Sequence, residues 1–210
     1  MKNCGIFLLC IVLFASCKKE TEDCTCPAPA SAATPVANNY FKLAVGNYWV
    51  YDTYKIDTNG VETLTTVGSD SSYVSADTVW HGNTYYIYSD FISSAWLRDS
   101  SGYIIDTTSK IYFTNAVFNI PVAFIYYSGN LGYNEQMTVS TPVSVTVPAG
   151  TFSCYDWKIT AHCTQPNYPW APVRYAHDYF SEGVGKVKEE FFFYSQPDHY
   201  ERRLNHYHVQ

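Results

Sequence analysis

From Tyr48 onward, apolar and polar positions alternate with a period of two. Tyr48-Trp-Val-Tyr-Asp-Thr-Tyr-Lys-Ile56 is the clearest run, and such alternation predicts a half-buried strand. Asn59-Gly60 follows, with strand-like residues on both sides. Both residues tolerate positive φ, so a hairpin is predicted there. Further strands are predicted at 72–80, 84–91, 94–99, 103–107, 110–114, 122–127, 137–147, 152–163, 173–181, 185–194 and 200–209. Turn clusters separate them, among them His81-Gly-Asn83, Ser100-Ser-Gly102 and Ser195-Gln-Pro-Asp198. Turns recurring every 8–12 residues or so point to an antiparallel sandwich or barrel. Apolar residues at helical spacing are not sustained anywhere beyond the first residues, and at most one short helix fits, near 114–120. The pattern is all-β, with a single antiparallel domain over residues 40–210.

The amino end reads differently. Met1-Lys2-Asn3 carries one positive charge, and Gly5 to Ala15 is an apolar run of eleven residues. A bilayer span needs about 20, whereas this length suits the core of a secretion signal. Ala15 and Ser16 then lead into Cys17. The segment resembles the lipobox of bacterial lipoproteins, with Phe14 where leucine is usual and Leu13 one position earlier. The resemblance implies removal of residues 1–16 and a diacylglycerol, with a further acyl chain such as palmitate, on Cys17. Lys18-Lys-Glu-Thr-Glu-Asp23 resembles the surface-export signal of Bacteroidota lipoproteins, which implies a surface-exposed position on the outer membrane. Pro27 to Asn39 is rich in proline and alanine and uncharged, so residues 17–39 are expected to act as a tether. Fully extended, residues 18–39 would reach roughly 70 Å at about 3.1 Å per residue.

Charge and cysteines narrow the partners. Loss of residues 1–16 removes one of 13 Lys and Arg, leaving 12 against 19 Asp and Glu, a formal charge of −7. An acidic chain without a basic stripe excludes nucleic acid as a partner, because phosphate binding needs clustered cations. The membrane is engaged through the lipid alone. Four cysteines remain after Cys4, Cys10 and Cys17: Cys24, Cys26, Cys154 and Cys163. They allow three pairings in an oxidising compartment, with Cys154–Cys163 the local option. A zinc site from Cys154, His162, Cys163 and His177 fits no familiar spacing.

Three short segments carry a family resemblance. Gly46-Asn-Tyr-Trp-Val-Tyr51, Val147-Pro-Ala-Gly-Thr-Phe152 and Gly183-Val-Gly-Lys-Val187 are similar to the G-N-x-W-x-Y opening, V-P-A-G-T-F turn and G-V-G-x-V segment of a Bacteroidota-type lipoprotein family with no assigned chemistry. The resemblance implies a curved antiparallel half-barrel or barrel-like sheet, with a β-sandwich as the alternative, and says nothing about chemistry. Pro148 and Gly150 sit at the second and fourth positions of a type I turn.

Catalytic signatures are missing: there is no HExxH, GxSxG, P-loop or dinucleotide fingerprint. Glu189 and Glu190 are adjacent on a strand and so point to opposite faces, which keeps them from converging on one bond. No cofactor and no catalytic residue is expected. His206 and His208 share a strand face and form a weak metal candidate, which needs a third ligand such as His177 or Glu201. The aromatic content, 20 Tyr, 12 Phe and 5 Trp, fits strand cores and also a binding surface. Tyr168 and Trp170, in a proline-rich loop, are the candidate ligand contacts. The reading is a non-enzymatic envelope module contacting a glycan, an apolar ligand or an envelope protein. The alternatives are a carrier of a lipid or other apolar molecule in a half-barrel, and an envelope hydrolase.

Overall fold

The structure is a computed structural model that describes residues 37–210 apart from 92, 116–118, 128–130, 164–172 and 194. The expected signal, Cys17, Cys24, Cys26 and the loop with Tyr168 and Trp170 therefore lie outside the described residues. One short helix, α1 (Ala37–Phe41), precedes the strands β1 (Tyr48–Ile56), β2 (Glu62–Trp80), β3 (Asn83–Ser89), β4 (Ser94–Asp99), β5 (Ile104–Asp106) and β6 (Ile111–Phe113). Then follow β7 (Asn119–Tyr127), β8 (Leu131–Val139), β9 (Val143–Val147), β10 (Gly150–Cys163), β11 (Val173–Ser181), β12 (Gly185–Phe192) and β13 (His199–His208). All pair antiparallel in one sheet ordered β6-β5-β4-β3-β2-β1-β13-β12-β11-β10-β8-β7, with β9 also on β10.

The sheet is curled rather than flat, and no ladder closes it into a barrel among the described residues. Phe113 on β6 lies 5.5 Å from the Trp157 ring on β10 and 4.5 Å from Phe180 on β11. Seven strands separate β6 from β11 in the sheet order, so these contacts require one end to curl over the other. Bulges assist the bend: the register shifts at Val50/Tyr51, Val74/Ala76 and Tyr179/Phe180, and an extra residue on one strand increases local twist. The concave face holds the core, with Phe41, Trp49, Tyr51, Leu97, Ile104, Phe113, Trp157, Phe180, Val187 and Leu204 all buried.

Two of the three sequence segments meet at Trp49, and the third packs on β13. Its indole Nε1 donates to the Val184 carbonyl at 2.7 Å, and the Tyr51 hydroxyl donates to the Lys186 carbonyl at 3.0 Å. Gly185, at φ +108°, lets the ring lie against the backbone: a Cβ there would stand 2.8 Å from Nε1. The β9–β10 turn has Pro148 and Ala149 between the paired Val147 and Gly150. Its Ala149 N–H donates to the Leu204 carbonyl at 2.9 Å, which draws the hairpin over β13. The β1–β2 hairpin forms where Asn59-Gly60 predicts it, with Asp57 Oδ1 accepting the N–H groups of Asn59 and Val61 at 2.8 and 2.9 Å.

Several expectations need correction. The helix is at Ala37–Phe41, with Ala37 fully buried, so the folded unit takes in the last residues assigned to the tether. Near 114–120 the described residues are irregular or in β7. The run 137–147 breaks at Ser140–Pro142, since proline cannot donate to a ladder. β2 begins at Glu62 rather than at 72. The architecture itself is the expected curved antiparallel sheet, open rather than closed into a barrel, and not the alternative sandwich. Cys154 and Cys163 are both free and lie on the same strand, nine residues apart. At about 3.3 Å per residue that is roughly 30 Å, far beyond disulfide reach. Burial pushes the Cys154 thiol up to about 12, so it is an inert core residue.

Gly185→Ala is expected to destabilise the domain by about 2–4 kcal/mol, through strain at positive φ and the clash with Trp49. Urea unfolding of the two proteins measures it. An unchanged midpoint would mean that Trp49 does not depend on this close approach.

Candidate functional site

Charged side chains are rare inside a protein unless paired, yet the concave face carries six. Arg202 on β13 has no solvent exposure. Its Nε and Nη2 donate to both oxygens of Asp70 at 2.8 and 2.6 Å. Nη1 reaches Glu189 at 2.6 Å and Asp90 at 2.8 Å. The planar guanidinium is held between the Tyr51 and Phe91 rings, at 4.3 and 4.5 Å from their centroids. Thr53 and Ser72 complete the shell by donating to Asp70 at 2.6 Å and Asp90 at 3.1 Å. One strand over, Lys186 Nζ lies 3.3 Å from Asp178 and 3.4 Å from Glu189.

Four of these groups form the polar end of a cavity of about 240 Å³. Asp90, Asp178, Lys186 and Glu189 line it at that end, while Tyr88, Tyr112, Met137, Trp157, Ile159 and Phe180 make its apolar walls. Phe41 of α1 closes one side, and Lys110 stands at the wall beside Tyr112, its Nζ 5.3 Å from that ring. Lining residues come from α1 and from strands distant in sequence, which the curl of the sheet brings together. A concave site with aromatic walls and a few convergent polar groups is the usual form of a small-molecule pocket.

The electrostatics follow from burial. Burial would raise the Asp90 carboxyl, but Lys186 and Arg202 together hold it below the usual carboxylate range. Lys186 and Arg202 lose solvation, yet the surrounding carboxylates keep both firmly charged. Asp178 goes the other way: burial pushes it up to about 6 against the pull of Lys186, with Glu189 adding to the rise.

The residues singled out from sequence fare unevenly. Tyr168 and Trp170 lie outside the described residues. His206 and His208 share the outer face of β13, where Tyr48 stacks on His208 at 5.8 Å and meets His206 edge-on at 6.4 Å. The third metal ligand is not supplied. His177 Nδ1 is bonded to Asp156 at 2.8 Å. Glu201, bonded to Lys188 and Arg203, is five residues back along β13, roughly 16 Å away. Among the described residues no group of three metal-binding side chains assembles. Glu189 and Glu190 do face opposite ways: Glu189 bonds Arg202 inside, and Glu190 bonds Lys188 at 2.7 Å outside. Sequence reasoning passed over Arg202, Lys186, Asp178, Asp70 and Asp90. Their signal was a charge at an inner-face position, as in Arg202 two residues before the buried Leu204.

No protein-family model matches the chain, and no curated protein matches it. Among solved structures, a candidate lipoprotein from Parabacteroides distasonis ATCC 8503 is 16% identical over 80% of this chain and 97% of its own, with a TM-score of 0.41. A candidate exported protein with a YmcC-like fold from Bacteroides fragilis NCTC 9343 is 13% identical over 80% and 98%, with a TM-score of 0.40. At these values the likeness assigns no activity.

The Asp178 environment has a pH signature. In the unfolded chain an aspartate titrates near 3.9, so between about pH 4 and 6 the folded state retains a proton that the unfolded state has lost. The protonated carboxyl's contribution to stability is complete below that window and is lost as pH rises through about 6. Asp178→Asn removes this titration. Its stability relative to wild type is expected to rise between pH 4 and pH 7, by at most about 3 kcal/mol. Urea midpoints of both proteins across that range provide the check, and a pH-independent difference would contradict the raised carboxyl.

Proposed function

We propose that this chain is a lipid-anchored protein of the bacterial cell envelope, and that its β domain is a non-enzymatic binding module working through the concave cavity. The anchoring half rests on the lipobox-like run ending at Cys17. The lysines and acids of 18–23, which follow it, favour the outer membrane and a surface-exposed position. The three motif segments fit the same lipoprotein family.

The binding half is carried by one observation: the cavity of about 240 Å³ has aromatic walls and a charged end. Its size selects among ligands. A dry cavity of roughly 150 Å³ holds benzene, so this one suits a compact molecule of one or two rings better than a diacyl lipid. The carrier alternative therefore narrows to a small amphiphile, with its apolar part against Trp157 and Phe180 and its polar part toward Lys186 and Asp178.

Two measurements test the two halves. Cys17→Ser is expected to release the protein from the membrane fraction and to abolish incorporation of labelled palmitate; continued labelling would remove Cys17 as the anchor. Native mass spectrometry of the protein released gently from its host membranes is expected to show an added mass that disappears on denaturation. Ala95 of β4 also lines the cavity, and Ala95→Trp, which fills it, is expected to lack that mass. A bare polypeptide mass for wild type would exclude a tightly held resident ligand.

A further inference from the structure

The charges at the cavity do not balance. Asp70, Asp90, Asp178 and Glu189 face only Arg202 and Lys186 within the buried cluster. With every group ionised the cluster carries a formal −2. Lys110 is the further cation at the wall, and it is solvent-exposed with its ammonium against Tyr112. Arg202 is fully committed, with its three nitrogens on Asp70, Asp90, Glu189 and Ser72. Lys186 is drawn to Asp178 and Glu189 at 3.3 and 3.4 Å. Charge in a poorly solvated place is costly, and an opposite charge from outside would relieve it.

The walls decide what form that charge takes. A metal ion needs several ligands converging on one point, and no such set of three assembles among the described residues. The cavity, at about 240 Å³, is also many times larger than an ion. Tyr88, Tyr112, Trp157 and Phe180 present ring surface, and aromatic faces attract organic ammonium groups through the ring quadrupole. Resting on the reading of the cavity as a binding site, we infer that its ligand is a small organic cation: an amine or ammonium group on a compact apolar body. The ammonium sits among Asp178, Asp90 and Glu189, and the apolar body lies along Trp157, Ile159 and Phe180. A carboxylate or phosphate ligand would instead face three acids with Lys186 already engaged.

The site's titration gives the inference a second readout. Asp178 is faced by Lys186 and Glu189 from β12 and by Asp90 from the end of β3, with Lys110 across the cavity. Its proton and a ligand cation relieve the same excess charge, so they compete. Cation binding is expected to strengthen as pH rises through about 6.

The experiment is titration calorimetry of the full-length protein in detergent with three near-isosteres: 2-phenylethylamine, 2-phenylethanol and phenylacetate. The amine is expected to bind at least tenfold more tightly than the alcohol, and phenylacetate weakest. The amine's affinity should rise severalfold from pH 5 to pH 7, with the alcohol's unchanged. Asp178→Asn is expected to lose at least tenfold in amine affinity, and its cooperative urea unfolding reports that the variant is folded. Equal or tighter binding of the alcohol or phenylacetate would overturn the cationic ligand and leave the cavity as a binding site. If none of the three binds up to millimolar concentration, both the inference and the reading of the cavity fall.

Discussion

A guanidinium taken wholly out of water has to find its counter-charges within the protein, and in this domain that requirement ties four strands to one point. Arg202 draws Asp70 from β2, Asp90 from the end of β3 and Glu189 from β12, while Tyr51 of β1 and Phe91 flank its plane. Removing such a partner is expensive, of the order of 3–5 kcal/mol, because the carboxylates stay behind unpaired. Replacing an entire buried ionic group with well-packed apolar residues is often neutral or favourable. Stability alone therefore gives no reason for this cluster. Its position does: it holds Asp90 and Glu189 in fixed orientations at the end of the cavity.

The sequence pattern was legible wherever one face of a strand is apolar. β1, β3, β4, β10, β11 and β12 fall close to the period-two runs, and the hairpins at Asn59-Gly60 and Pro148–Gly150 form where turn chemistry requires them. The strand side of the Asn59-Gly60 hairpin was not carried through to residue 71, and the reason is physical. There the inner face presents Asp70 toward Arg202, followed by Ser72, so alternation of polarity disappears although the strand remains. The polar run His199–His208 forms the strand expected at 200–209, although so polar a run would suit a sheet edge. It lies instead at the middle of the sheet, between β1 and β12, where the buried Arg202 is paired with acids and the buried Leu204 is apolar.

The site was largely hidden for a related reason. Each of its residues is ordinary in isolation: a lysine after a glycine turn, an aspartate in a Tyr-rich strand, a glutamate beside a glutamate. Only the curl of the sheet, fixed by register shifts and by Trp49 seated on Gly185, gathers them. The glycine segments were visible as turns, but what they accommodate is a tryptophan more than a hundred residues away in the chain. The cysteine pair failed in the opposite way, since closeness in sequence became separation along a single extended strand.

The position of α1 has a mechanical consequence. For a chain held by its amino end, any pull enters the domain at Ala37 and meets α1 before a strand. That segment is seated by Ala37, Phe41 and Leu43 in the core, by the Gly183 N–H on the Asn39 carbonyl, and by Asn38 and Asn47 on the local backbone. Ring contacts of Tyr40 with Phe113 and Tyr155, and of Phe41 with Tyr88 and Phe180, add to these attachments. Phe41 is also a wall of the cavity, so whatever shifts α1 reshapes the pocket.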